Sequence, residues 1–332
     1  MRAALRELLT PDEARLVRPV KELQFMPPML ATLSHDEFSR DGWIFERKLD
    51  GVRCLALKKR SGVMLFSRNK QDISKTYPEL VTALESQLPE QAMVDGEIVA
   101  FDKNHTSFSR LQARMNVRQP SAQLLQRVRV FLYVFDVLVA DGSDVCRLPL
   151  STRKKILRRF PSFDDPIRQT AYRKDNGLSY FDYACRHGWE GLIAKDATSS
   201  YVHTRSRNWL KFKCSKGQEF VIGGFTDPKG SRVGFGALLV GYYEKKRFRY
   251  AGKVGTGFDD ALLRRLGSGL EKLEQQERPF DEPVKEPGSH WVQPALVCEV
   301  AFTEWTSDGK LRHPTFQGIR QDKEPTEVRR ED

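Results

Sequence analysis

The sequence predicts an α+β chain of two domains: a first with largely antiparallel sheets and helices, then a small Greek-key barrel. Three observations predict it. Strand-like runs in the first two thirds of the chain sit at hairpin spacing rather than in regular βαβ units. The pattern changes at about residue 216, where three short strands with Gly-rich turns precede one helix and more strand. The length, 332 residues, favours about two domains, each able to bury a core.

Residues 1–25 read as a charged, helical leader. PPML at 27–30 breaks any helix and opens the first domain, 26–215. GWIFERKLDG and VRCLALKKR read as paired strands, with VMLFSRN as a third. AMVDGEIVAFD, VRVFLYVFDVLV and GLIAKD, rich in branched and aromatic residues, are further strands. STRKKILRRF and YFDYACRHG read as helices between them. The second domain, 216–325, opens with EFVIGGFTD, ALLVGYYEK and FRYAGKVG. In DDALLRRLGSGLEKLEQQE, residues Leu262, Leu263, Leu266, Leu270 and Leu273 form one helical stripe, read as core packing. LVCEVAFTEW returns to strand, which completes a barrel of the OB type. Residues 326–332 form a polar tail.

Composition narrows the function. Hydrophobic residues make up 39% and charged residues 30%, a globular balance. No apolar run approaches membrane-spanning length, and charges interrupt the N-terminal apolar positions, so neither a membrane partner nor a secretory signal is expected. The five cysteines, Cys54, Cys146, Cys185, Cys214 and Cys298, are scattered without a CxxC pair, which argues against zinc. An odd, dispersed set suits a reducing cytoplasm. The six histidines show no HExxH spacing. The net charge of +11 attracts polyanions, nucleic acid first.

The chemistry starts at FERKLDGVR, residues 45–53. Side chains alternate along a strand, so Glu46, Lys48 and Asp50 are expected on one face; Gly51 turns the chain and Arg53 follows. This is either a surface charge ladder or a nucleophilic lysine. A lysine attacks only unprotonated, and its free pKa is about 10.4, so a nucleophile needs burial or nearby cations. NWLKFKC supplies them: Trp209, Lys211 and Lys213 share a face, a pattern that suits polyphosphate. VDGEIVAFD puts Asp95 and Glu97 on one strand face, and Glu190 precedes an apolar strand. Separated carboxylates near phosphates suit Mg²⁺, which takes oxygen ligands and keeps several waters. Phe135, in the apolar run ending at Asp136, could present a ring to a flat base. STRKKILRRF is a candidate contact for a nucleic-acid backbone.

Together these segments resemble the covalent nucleotidyltransferases, specifically the ATP-dependent DNA ligases. KLDGVR at 48–53 resembles the family's KxDGxR signature, which makes Lys48 the residue that takes AMP from ATP. FSRN implies Arg68 near the nucleotide. DGE implies Glu97 at the ribose or metal, and VFD implies Phe135 stacked on adenine. EGLIAK implies Glu190 near the metal, and WLKFK implies Lys211 and Lys213 on the phosphates. RHPTFQGIRQDK, residues 312–323, implies Arg320 and Lys323 at the departing pyrophosphate. Glu46, Asp50 and Arg53 then also belong to the ATP site. The resemblance runs from about residue 26 to 323. GKVGTGF and RHPTFQGIRQDK are most similar to the ligase module of bacterial ligase D, the end-joining enzyme.

The resemblance implies a nucleotidyltransferase domain followed by an OB-fold domain, ATP as co-substrate and Mg²⁺ or Mn²⁺ as metal. It implies nicked or broken duplex DNA as substrate. A monomer in the bacterial cytoplasm, associated with the nucleoid, is expected. Without the attached modules or large DNA-binding domain of bigger ligases, it is expected to need its own basic surface or an end-binding partner such as Ku. Two rival readings are an RNA ligase or capping-type enzyme using the same lysine, and a non-catalytic DNA-end binder.

Overall fold

The computed structural model describes residues 3–115, 117–159, 163–214 and 217–331. Phe160, the last residue of the expected STRKKILRRF helix, lies outside them, as do residues 1–2 of the leader, 215–216 at the expected boundary, and 332. The chain divides into two compact units, Met1–Cys214 and Ser215–Asp332.

In the first unit an eight-stranded sheet has the order Arg18–Pro19, Ser143–Asp144, Val130–Ala140, Ala92–Asp102, Val52–Lys59, Gly62–Ser67, with two short strands off this path. One face carries Val52, Cys54, Ala56, Val94, Ile98 and Leu132, buried with Leu80 and Leu84 of the helix Pro78–Gln87. Burying each large side chain contributes about 1.5–3 kcal/mol. The second sheet has five strands: Tyr172–Lys174, Trp43–Arg47, Gly191–Asp196, Arg205–Lys213, Leu30–Leu33. Its alternation sends Phe45, Leu192, Ala194 and Phe212 backwards onto Tyr180 and Ala184 of the helix Gly177–Arg186. Its front meets the other sheet through Trp209, packed with Leu55, Met93 and Phe135.

Three expectations are corrected. The expected pairing of GWIFERKLDG with VRCLALKKR does not form, because the two strands lie in different sheets. Gly51 shows why: a Cβ there would stand 2.1 Å from the Ile98 carbonyl oxygen, so the chain is pressed onto the strand Ala92–Asp102 at that point and joins its sheet. The leader is part of the first unit, since Leu5 is buried in the main core and Arg18–Pro19 pairs with Ser143–Asp144. Cys185 and Cys214, 29 residues apart, form a disulfide with a Cα separation of 5.1 Å, because the helix Gly177–Arg186 packs over the end of the strand Arg205–Lys213. Cys54, Cys146 and Cys298 are free and buried.

The second unit is the expected antiparallel barrel of the OB type: Arg247–Val254, Leu238–Glu244, Gly217–Thr226, Ser289–Ala301 and Glu274–Gln275 in that order, with Thr315–Ile319 beside Ser289–Ala301. The helix Asp260–Glu271 starts at Asp259, whose carboxylate accepts from the Leu262 N–H. Leu263, Leu266 and Leu270 bury the expected stripe. Among the described residues no helix is long and apolar enough to cross a membrane.

Candidate active site

Three rows of side chains cross the front of the five-stranded sheet, as the strand register dictates. Gly191 lies between Lys48, whose N–H donates to its carbonyl at 2.9 Å, and Lys213, its strand partner. One step along, Ile193 pairs with Glu46 on one side and Lys211 on the other. The next row is Ile44, Lys195 and Trp209. Gly191 is required where it stands: its φ is +149°, and a Cβ would meet the Phe212 carbonyl oxygen at 1.9 Å. The glycine leaves a gap between the two amines. The Lys48 ammonium is paired with the Glu190 carboxylate, and both side chains are mostly buried.

Glu46 is 2% exposed. It receives Lys154 on one carboxylate oxygen and Lys195 on the other, the latter at 2.7 Å. Burial lowers the pKa of Lys195 to about 8; the neighbouring Lys154 charge acts in the same direction and Glu46 against it. The Lys195 ammonium lies 3.9 Å from the Trp209 ring centroid and 4.3 Å from that of Phe135. Phe135, on the eight-stranded sheet, therefore stands opposite these rows. Arg53 reaches the same ring at 4.8 Å. Its guanidinium donates to both Asp95 oxygens, the second at 2.6 Å, and to the Met29 carbonyl at 2.9 Å. Burial works against the Arg53 charge, but Asp95 outweighs it, so the group stays above its ordinary pKa. In the strand register Glu97 faces Arg53 and Tyr133, while Arg68 follows Ser67, the partner of Cys54.

The first unit thus brings together Glu46, Lys48, Arg53, Phe135, Glu190, Lys211 and Lys213. Asp50 departs from the expected face. The strand ends at Arg47, and the Asp50 carboxylate instead accepts from the Phe108 N–H at 3.3 Å. Arg320 and Lys323 belong to the second unit. Arg320 donates to Asp322 at 3.0 Å through two nitrogens and to Glu299 at 3.1 Å, and Lys323 meets Glu219 at 3.0 Å. Burial opposes the Arg320 charge, but Asp322 and Glu299 raise its pKa well above the usual value.

Residues 28–213 match the family described as ATP dependent DNA ligase domain, and residues 231–323 the one described as ATP dependent DNA ligase C terminal region. The chain belongs to the ATP-dependent DNA ligases. It is 36% identical over 320 residues to the multifunctional non-homologous end joining protein LigD of Pseudomonas aeruginosa, covering 92% of this chain and 36% of that one. To the same-named protein of Mycobacterium bovis it is 35% identical over 321 residues, covering 94% and 41%. The ligase therefore spans well under half the length of these curated relatives. Among solved structures, a mycobacterial DNA ligase D complexed with ATP and MES is 34% identical, with a TM-score of 0.69, covering 93% of this chain and 100% of that one.

The family is described as ATP-dependent, and divalent metal use is general in it. Among the described residues no group of three or more His, Cys, Asp and Glu side chains gathers to hold an ion. Asp95, expected beside Glu97 as a carboxylate suited to Mg²⁺, is instead taken by Arg53 and by Tyr201, whose hydroxyl donates to it at 2.6 Å. Lys154, Lys195 and Tyr201 were not singled out from the sequence. Lys195 lies within EGLIAK, two residues after Ile193 on the Glu46 face, and that spacing was the available signal. Only part of the charge of STRKKILRRF, the candidate contact for a nucleic-acid backbone, reaches the surface. Arg153 and Lys154 are 0% and 1% exposed, Arg153 bonded to buried Asp136 at 2.8 and 2.9 Å, which leaves Lys155, Arg158 and Arg159 on the surface.

Proposed function

We propose that Lys48 is the nucleophile of this DNA ligase and that the chain seals breaks in duplex DNA during end-joining repair. The observation that carries the assignment is the row Lys48–Gly191–Lys213, where an amine and a second cation flank a position without a side chain. In the first step Lys48 sheds its protons to the paired Glu190 carboxylate and to solvent, and its Nζ attacks the α-phosphorus of ATP, forming a P–N bond as the bond to pyrophosphate breaks. Lys211 and Lys213 offset the charge on the phosphate oxygens. Phe135 stacks on adenine beside Glu46, and Glu190 holds the Lys48 amine. Glu97 and Glu190 would hold Mg²⁺ or Mn²⁺, which neutralises phosphate charge. Arg68 lies near the nucleotide; Arg320 and Lys323 are assigned to pyrophosphate. AMP then passes to a DNA 5′-phosphate, and the 3′-hydroxyl attacks that phosphate and releases AMP.

Its similarity to non-homologous end joining proteins supports the end-joining role. The charge of +11 supports contacts along a DNA backbone without sequence preference. The protein works as a monomer in the cytoplasm, with an end-binding protein such as Ku as its partner. The test is sealing of a nicked duplex with ATP and Mg²⁺, run beside GTP and beside a substrate with a terminal 3′-ribonucleotide. Sealing of the all-DNA nick with ATP supports the assignment. An adduct formed only from GTP, or sealing unaffected by Lys48→Ala, contradicts it.

A further inference from the structure

Lys154 is buried among apolar residues of its own helix, Leu150–Arg159, where Leu150, Ile156 and Leu157 already supply the packing. A buried ammonium costs free energy that an apolar chain of similar size would not. Its placement shows what that charge holds. The Lys154 ammonium donates to the Glu46 carboxylate, on the five-stranded sheet, and to the Phe135 carbonyl at 2.6 Å, on the eight-stranded sheet. One side chain from a third element therefore ties the two sheets together. It does so at the residue two before Lys48 and at Phe135, whose ring lies against Lys195 and Trp209 of the five-stranded sheet. Arg153, next along the helix, fixes Asp136 directly after Phe135.

We propose that Lys154 is a positioning residue of the ligase, setting the distance between the Phe135 ring and the strand that carries Glu46 and Lys48. This rests on the reading of Phe135 as the platform for the base. With Lys154 in place the slot for a purine is formed before ATP arrives, so less binding free energy goes into ordering it. Without it, Glu46 loses one of the two ammonium groups described at its carboxylate, and the Phe135 carbonyl loses a charged donor. The two sheet faces are then free to drift apart at the base end. The phosphate end, built on Lys48, Gly191 and Lys213, keeps its own strand hydrogen bonds.

The discriminating experiment compares inhibitors of enzyme adenylation in Lys154→Met, a change that keeps volume and removes charge. Adenosine probes the base end, and pyrophosphate probes the phosphate end. The expected result is a KM for ATP raised roughly tenfold, the scale of a lost charged hydrogen bond, with kcat changed far less. Adenosine inhibition should weaken by the same factor, pyrophosphate inhibition should hold, and Lys154→Arg should recover most of the loss. If Lys154→Met does not fold, Lys154→Gln, which keeps a donor for the Phe135 carbonyl, carries the same comparison. Equal weakening toward both inhibitors, or no change toward adenosine, overturns the proposal. A parent protein that forms no adduct on Lys48 would instead overturn the underlying site reading.

Discussion

Replacing Gly191 with alanine separates strain from displacement at the proposed nucleophile. The new Cβ would lie 1.9 Å from the Phe212 carbonyl oxygen, where real Cβ contacts stay beyond 3.0 Å, so something must move by about 3.0 − 1.9 = 1.1 Å. The obstacle is backbone and cannot rotate away. The strand partners of Gly191 are Lys213 and, through the Lys48 N–H, the nucleophile, so the shift falls on the two amines. A misplacement of about 1 Å can cost roughly 10²-fold in rate. A positive φ at a non-glycine residue adds about 1–3 kcal/mol of destabilisation. Gly42→Ala is the control: its φ is +79°, nothing lies within 4 Å of its Cβ, and it is outside the rows. Single-turnover transfer of label from ATP to protein, measured well below both melting temperatures, should fall about 10²-fold in Gly191→Ala and stay near parental in Gly42→Ala. A parental rate in folded Gly191→Ala would refute the geometry argued for the site.

Arg153→Met takes the bidentate partner from buried Asp136 and strips donors from the Leu148 and Ser199 carbonyls. Urea titration should show a loss of about 3–5 kcal/mol, partly restored by adding Asp136→Asn. Lys195 gives stability a pH dependence. Below pH 8 it is charged in both folded and unfolded states, and its full burial penalty is present. Above pH 8 the folded form sheds the proton while the unfolded form keeps it up to 10.5, so stability rises with pH across that window. The gain should reach about 3 kcal/mol, at 1.36 kcal/mol per pH unit, and should be absent from the Lys195→Met denaturation series.

Much of the site was legible because two-residue periodicity survives in both strands. Lys211, Lys213 and Trp209 alternate with Leu210 and Phe212, and the structure keeps that alternation. Glu46 was placed on the correct face for the same reason. Asp50 was not, because the strand stops at Arg47 under the pressure of Gly51 against Ile98, a contact between segments far apart in sequence. The helix STRKKILRRF read as a candidate contact for a nucleic-acid backbone. Nothing local marks Arg153 and Lys154 as buried, since their acids, Asp136 and Glu46, come from two other strands. The disulfide was hidden likewise, as Cys185 and Cys214 meet only once a helix is laid across the sheet.

The most direct measurement is peptide mapping by tandem mass spectrometry after incubation with ATP and Mg²⁺ in the absence of DNA. A single adenylyl group attached through Nζ of Lys48, lost on addition of a nicked duplex and missing from Lys48→Ala, is the predicted result. An adenylyl group on another residue, or an unmodified protein that still seals the nick, would contradict it.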